Sequence, residues 1–432
     1  MFERAANPPD QRRSVRAKVR LIGLRLAGNF YTEQTPSPVP HAVLLIRPDH
    51  LGDMLFVTPA LHWLREALPM ARLALLAGPW GAAAMRGNPD LDEVRLCPFP
   101  GFARGRQRHP FAPYFLLRQA ARELRGEGYD TAVVLRFDHW WGAWLAAAAG
   151  IPRRVGYLLP ETEPFLTEPV AHSRGHHEVE QNQFLLARLA PPRLPTAAPG
   201  NAALPDSPGA RPGGDKPGRL RFTVSAEDQA WAEEWLAARH IDLRRPLVAI
   251  HVGAGARVKQ WPLASWASVA DGLAAEASAQ ILLTGGRDEF AQGAGIQAAM
   301  STPALNAVGE TTLGQLAALQ TRCALVVGSD CGPLHLAVAV GRPTVHLHGP
   351  VAATSFGPWG DPARQRVVTA PSACAPCNRL DWPAADLQYH CCMAAITPRR
   401  VLAECMQALS GETPLGPSGS FVSGSSRHAG TS

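Results

Sequence analysis

The chain is 432 residues long, with 46% hydrophobic and 18% charged residues and a formal net charge of +6. That length suits two domains, each able to bury a core. The modest positive charge suits anionic partners such as nucleotides, phosphates or an anionic membrane surface. No RNP, zinc-finger or basic-zipper pattern accompanies it, which speaks against nucleic acid.

No compact apolar run with a small-residue cleavage site follows the N-terminal arginines. The longest apolar stretch, residues 140–152, is too short to span a bilayer. A cytoplasmic location is therefore expected. In that compartment the eight cysteines read as thiols or metal ligands rather than a disulfide framework.

Residues 1–40 read as a basic arm. Val15, Val19, Ile22 and Leu26 fall at helical spacing among Arg12, Arg13, Arg16, Lys18, Arg20 and Arg25. Such a segment either rests on anionic lipid or packs as an ordinary helical arm. From residue 41 to 190 apolar runs alternate with helical patterns. HAVLLIR, ARLALLAG, DEVRLCPF and YDTAVVLR read as strands; MLFVTPALHWLREALP, interrupted by Pro59, and PYFLLRQAARELRGEG read as helices. Residues 191–218 are rich in Pro, Gly and Ala and read as a linker. The alternation restarts over 219–410 with LVAIHVGAG, AQILLTGG, CALVVGS and PTVHLHG as strands. Residues 411–432 read as a disordered tail. The expectation is an α/β protein of two Rossmann-like halves, each binding ligands beyond the carboxyl ends of its strands.

Chemistry-bearing residues gather at those strand ends. The first strand exits into Arg47, Pro48, Asp49, His50, Leu51, Gly52 and Asp53. Near the end of the chain, a strand delivers Asp330 to a turn of Cys331, Gly332 and Pro333, and a helix follows with His335 in its first turn. Free N–H groups at a helix start favour a phosphate, although Asp330 would equally serve as a helix cap. In HVGAGARVKQWP, Gly253 lies in a glycine turn and Lys259 follows. This suits a diphosphate clamp but is neither a Walker A loop nor G-x-G-x-x-G. After the strand ending at Thr284, Asp288 and Glu289 form an acidic pair suited to ribose hydroxyls or to capping a helix.

RPDHLGDMLFVTPAL near the start and SDCGPLHLAVAVGRPTVHLHGP near the end, with GAGARVKQWP between them, resemble the family 9 glycosyltransferases, the ADP-heptose:lipopolysaccharide heptosyltransferase family. The resemblance spans roughly residues 41–410. It implies a GT-B architecture, with the acceptor in the first half and an ADP-sugar donor in the second. It further implies inversion at the transferred sugar, no tightly bound cofactor or catalytic metal, and an acceptor that is lipopolysaccharide or another lipid-linked surface glycan. Asp53 takes the place of the general base and Lys259 that of the diphosphate-neutralising lysine. Asp330, Gly332 and His335 take the place of the sugar and diphosphate turn, with Cys331, Gly253 and Glu289 beside the donor. Asp49, His50 and Gly52 would face the acceptor. This explains two carboxylates at the exit of the first strand: an inverting transfer needs a base for the attacking hydroxyl and cations on the leaving diphosphate. Asp53 as a cap of the following helix is the other reading.

The chain departs from the family pattern twice. Asp49-His50 stand where many relatives carry two small hydroxyl residues, and Cys331 stands where serine or threonine is common. Cys374, Cys377 and Cys391 suit a structural zinc site, buried thiols or a redox-sensitive disulfide. Cys97 and Cys323 lie in apolar runs and are expected in the core. Two other functions share this fold class, a nucleotide-sugar epimerase and a non-catalytic sugar-nucleotide binding protein. Asp53 in the acceptor half argues against the first, and intact Lys259 and His335 against the second.

Overall fold

Residues Ala42–Arg47 form a strand in which every residue after Ala42 is buried. A strand hidden on both faces belongs inside a parallel sheet with helices on either side. The computed structural model describes residues 15–31, 39–102, 109, 111–173, 175–189, 218–242 and 244–411. The expected arm before residue 15, the linker from 191 to 217 and the tail beyond 411 lie outside the described residues.

The first sheet contains β1 (Ala42–Arg47), β2 (Arg72–Ala77), β3 (Glu93–Leu96), β4 (Thr131–Val134), β5 (Arg153–Tyr157) and β6 (Glu168–Val170). All pair in parallel in the order β3-β2-β1-β4-β5-β6. The second contains β7 (Leu247–His251), β8 (Gln280–Thr284), β9 (Ala304–Asn306), β10 (Leu325–Ser329), β11 (Thr344–His348) and β12 (Gln365–Thr369). Its order is β12-β11-β10-β7-β8-β9, again parallel. Counted from its own first strand, each sheet has the doubly wound order 3-2-1-4-5-6. Each therefore has a switch point, between β1 and β4 in one half and between β7 and β10 in the other.

The helices of the first half are α1 (Val15–Gly28), α2 (Leu51–Leu55), α3 (Thr58–Ala67), α4 (Ala112–Arg125), α5 (Trp140–Ala148) and α6 (Glu178–Ala187). Those of the second are α7 (Ala226–Ala237), α8 (Leu263–Glu276), α9 (Phe290–Ala299), α10 (Leu313–Thr321), α11 (Gly332–Ala339), α12 (Ala353–Phe356) and α13 (Pro398–Ser410). The break foreseen at Pro59 separates α2 from α3. The proline sits in the first turn of α3, where its missing N–H costs nothing.

Each strand read from the sequence is present. β5, β6, β9 and β12 were not read, for a physical reason. β6 and β9 have only three residues each, and Arg153 and Arg154 in β5, Pro169 in β6 and Gln365 and Arg366 in β12 break any apolar run.

The two halves share apolar surface. The core beneath α2 and α3 continues into Leu316, Ala317, Leu336 and Val338 of the second half. The Arg221 amide donates to Thr58 Oγ1 at 2.9 Å, and His177 Nε2 lies 3.0 Å from the Gly357 carbonyl. The closest approach is α2 against α11, and glycine permits it on both sides. A Cβ on Gly332 would lie 2.8 Å from Leu51 Cβ, and one on Gly52 would lie 3.0 Å from His335 Cδ2. The exit of β1 is thereby held against the exit of β10.

Candidate active site

β1 ends on Arg47, which is almost fully buried. A buried guanidinium needs acceptors around it, and two carboxylates, a side-chain amide and a carbonyl surround this one. Its Nε lies 2.6 Å from Asp49 Oδ2 and its Nη2 2.7 Å from Glu178 Oε1. Nη1 donates to Asn182 Oδ1 at 3.0 Å and to the Leu135 carbonyl at 3.2 Å. Arg136, just past β4, binds the other oxygen of Asp49. Asp49 is consequently buried and ionised. Burial pushes its pKa up, but Arg47 and then Arg136 outweigh that and bring it below the usual carboxylate value.

Asp53 is the third carboxylate of this cluster and the least well paired. Its Oδ1 is 3.9 Å from Arg47 Nη2, and 33% of its side chain remains exposed. Burial of the carboxylate raises its pKa most, with help from the charges of Asp49 and Glu178. Arg47 and Arg136 oppose the shift, and the result is about 7. Asp53 is not the helix cap: His50 occupies the N-cap of α2, with no side-chain capping bond. His50 is exposed and stacks on Trp80 at 6.0 Å between ring centres.

In the second half, Lys259 Nζ donates to Asp330 Oδ2 at 2.7 Å, and His335 Nε2 lies 3.4 Å from Asp330 Oδ1. Burial would raise the Asp330 pKa. The His335 hydrogen bond and the charges of His348 and Lys259 reverse this and hold it well below the usual value. Cys331 occupies the N-cap of α11, makes no side-chain capping bond and is buried, and that burial pushes its thiol pKa up. Pro333 has no N–H and that of Leu334 donates to the Cys331 carbonyl at 3.2 Å, which leaves the Gly332 N–H at the start of the helix.

Gly253 and Glu289 also meet. A Cβ on Gly253 would fall 1.8 Å from Glu289 Oε1, so only glycine leaves room for that carboxylate. Glu289 Oε2 accepts the Gly286 N–H at 2.7 Å, which makes Glu289 rather than Asp288 the residue that caps this turn. Beside them is a cavity of about 500 Å³ lined by Val252, Arg257, Trp261, Gln292, His390 and Met393, among others.

Cys374, Cys377 and Cys391, read as a zinc site, buried thiols or a disulfide, are exposed, and all eight cysteines are free thiols. Among the described residues no group of three or more His, Cys, Asp or Glu is placed to hold a metal ion. Cys97 and Cys323 are buried, as expected.

Arg47, Arg136, Glu178 and Asn182 escaped the sequence reading. Arg47 left one signal, a lone arginine closing a wholly apolar strand. Glu178 and Asn182 reach the cluster only through the fold, from more than a hundred residues away.

A model of glycosyltransferase family 9 (heptosyltransferase) matches residues 117–383. The chain belongs to glycosyltransferase family 9. It is similar to lipopolysaccharide heptosyltransferase 2 of Escherichia coli K12, with 26% identity over 84% of this chain and 97% of that one. It is also similar to lipooligosaccharide heptosyltransferase 2 of Haemophilus ducreyi, at 23% over 85% and 99%. Among solved structures, a family 9 glycosyltransferase from Veillonella parvula superposes with a TM-score of 0.67 at 21% identity, covering 86% of this chain and 97% of that one. The E. coli ADP-heptose lipopolysaccharide heptosyltransferase II gives 0.64 at 22%, covering 85% and 98%. These superpositions fix the GT-B fold. As a family 9 member the chain is a glycosyltransferase.

Proposed function

We propose that this enzyme transfers a heptose, with inversion, from ADP-heptose to a lipopolysaccharide or related lipid-linked glycan at the inner face of the cytoplasmic membrane. Curated relatives are named lipopolysaccharide or lipooligosaccharide heptosyltransferases, and one E. coli heptosyltransferase of the same fold was solved with ADP. The observation that carries the reading is Asp53, a cleft-facing carboxyl with a pKa near 7, held across the α2–α11 contact from a lysine and a helix N-terminus.

In the reaction, the acceptor hydroxyl gives its proton to the Asp53 carboxylate as its oxygen bonds to the anomeric carbon. The bond from that carbon to the diphosphate oxygen breaks, and ADP departs with the electron pair. A base titrating near the working pH suits this step. Lys259 and the Gly332 amide at the start of α11 stabilise the charge growing on the leaving phosphate. Asp330 and His335 hold Lys259 and the sugar side of the turn. Glu289 takes the ribose hydroxyls, and the adjoining cavity seats the base. Asp49 acts through Arg136, whose guanidinium it fixes at the acceptor side, while His50 and Gly52 border the acceptor. No tightly bound cofactor is required.

Calorimetry with ADP, UDP, GDP and CMP, on the wild type and Lys259→Ala, tests the donor side. Selective ADP binding that weakens in the variant is the expected result; selectivity for another nucleotide would keep the fold and replace the donor. Release of ADP from ADP-heptose only when acceptor is added tests transfer itself.

A further inference from the structure

Among the described residues, one face of the first half is used neither by the candidate site nor by packing. α1 lies against the first half through Leu24, which is buried, and Ala27. The Arg20 guanidinium sits 5.8 Å from the centre of the Trp140 ring on α5. Ile22 and Leu26, the two described members of the apolar stripe read from the sequence, are each 60% exposed. α4 buries Leu117, Ala121 and Leu124. Its opposite face begins at the preceding Phe111 and carries Phe115, Arg118, Arg122 and Arg125 at helical spacing, all exposed. Phe111 is 60% and Phe115 68% exposed. Trp144 of α5 joins the two helices. Its ring is 5.8 Å from that of Tyr114, and its Nε1 donates to the Tyr31 hydroxyl at 2.9 Å. The exposed Phe30 next to Tyr31 therefore stands close to the aromatic start of α4.

We propose that this face docks on an anionic lipid bilayer, with Ile22, Leu26, Phe30, Phe111 and Phe115 entering the interfacial layer. Aromatic and aliphatic side chains ringed by arginine are the composition that lies in a membrane interface, and exposed apolar groups gathered on one face mark an interaction surface. Charge selects the occupant. Arg20, Arg25, Arg118, Arg122 and Arg125 surround the patch. The one acid on the two helices, Glu123, accepts from the Gln119 side chain. Arginine stems can lie along the apolar layer while their guanidinium groups meet lipid phosphates. The inference deepens the proposed function and rests on it only for purpose: a lipid-linked acceptor would be met at the surface of the half that holds Asp53.

The test is flotation of the full-length protein with vesicles of phosphatidylcholine, with or without phosphatidylglycerol. The wild type is expected to float with the anionic vesicles and to bind the neutral ones weakly. Arg118→Glu with Arg122→Glu should weaken anionic binding about thirtyfold. Phe111→Ser with Phe115→Ser should weaken it at least about tenfold. ADP affinity and melting temperature should be unchanged in both variants, because all four side chains are exposed. Wild-type protein that stays with the aqueous phase, or variants that float as the wild type does, would overturn the proposal. So would self-association in sedimentation velocity that disappears in the phenylalanine variant, which would make this face a contact between copies. Because ADP affinity is read separately, loss of vesicle binding with intact ADP binding condemns this inference alone. Absent ADP binding with the expected flotation condemns only the proposed function.

Discussion

At the switch point of the first sheet, β1 and β4 bring Arg47 and Arg136 to three carboxylates. At that of the second, β7 and β10 bring one lysine and one histidine to a single carboxylate. Topology and location are the same, but the electrostatic outcomes are opposite. In the first half the arginines are spent on Asp49 and Glu178, so Asp53 is left with a 3.9 Å contact and two like-charged neighbours. In the second, Asp330 receives Lys259 at 2.7 Å and His335 at 3.4 Å, and its proton is held off far below neutral pH. An excess of carboxylate over cation makes a proton acceptor near pH 7; the reverse makes a fixed anchor. The fold supplies two equivalent crevices, and a few charges decide which performs acid–base chemistry and which holds a ligand.

The widest break in that contrast is Asp53→Asn. It removes the base and leaves the second switch point untouched, so the transfer rate should fall about 10²–10⁴-fold while ADP affinity stays at the wild-type value. Comparable losses in both would mean that Asp53 serves the donor. Lys259→Ala should weaken ADP binding and slow transfer together, since the same charge serves the bound and the leaving diphosphate. Losing a charge-assisted contact to a phosphate costs about 1.5–3 kcal/mol, so ADP should dissociate roughly ten- to a hundredfold more readily while the pH profile keeps its shape.

That profile sharpens the comparison next. Asp53 must be ionised to accept a proton, so kcat/KM should rise with pH through an apparent pKa near 7 and then level. Glu178→Gln removes one of the charges that raise this pKa and should move the rise to lower pH. Stability carries the opposite sign. The folded pKa lies above the unfolded one, so ionising Asp53 costs the fold stability as pH rises from the unfolded value near 4 to about 7. The melting temperature of Asp53→Asn should match the wild type near pH 4 and exceed it above pH 7. Equal values at pH 8 would show that Asp53 ionises at its ordinary pKa.

The sequence showed one member of each contrast better than its surroundings. Asp53, Lys259, Asp330 and His335 sit within a few residues of strand ends, and their motifs are local, so they could be read. The reason Asp53 differs from Asp330 is not local. It lies in Glu178 and Asn182 on α6 and in Arg136 after β4, which only the sheet order brings to Arg47. The same limit governed the fold. Central strands announce themselves as apolar runs, whereas β5 and β12 carry Arg154 and Arg366, which are nearly fully buried. Arg154 donates to the nearby carbonyls of Ile151 and Phe165, and Arg366 Nη1 to Glu404 and Gln407. A short window of sequence does not contain the partners of Arg366. Asp49 also looked like an acceptor ligand until its two arginines were in view.

The smallest effect is expected where the two crevices touch. Gly332→Ala would place a methyl 2.8–3.0 Å from three atoms of the Leu51 side chain. The nearest of these, Leu51 Cβ, moves only with its backbone, so the halves should stay associated with a wider gap between α2 and α11. Because the base stands on one wall and the leaving group on the other, widening lengthens the path between them without changing either wall. Alanine at Gly332 should therefore lower kcat a few-fold, since small misplacements of reacting groups slow the chemical step, and leave the Asp53 pH profile in place. If ADP affinity fell as much as kcat, the methyl would be acting on the amides of α11 themselves. The spacing between the two switch points would then not be what Gly332 controls.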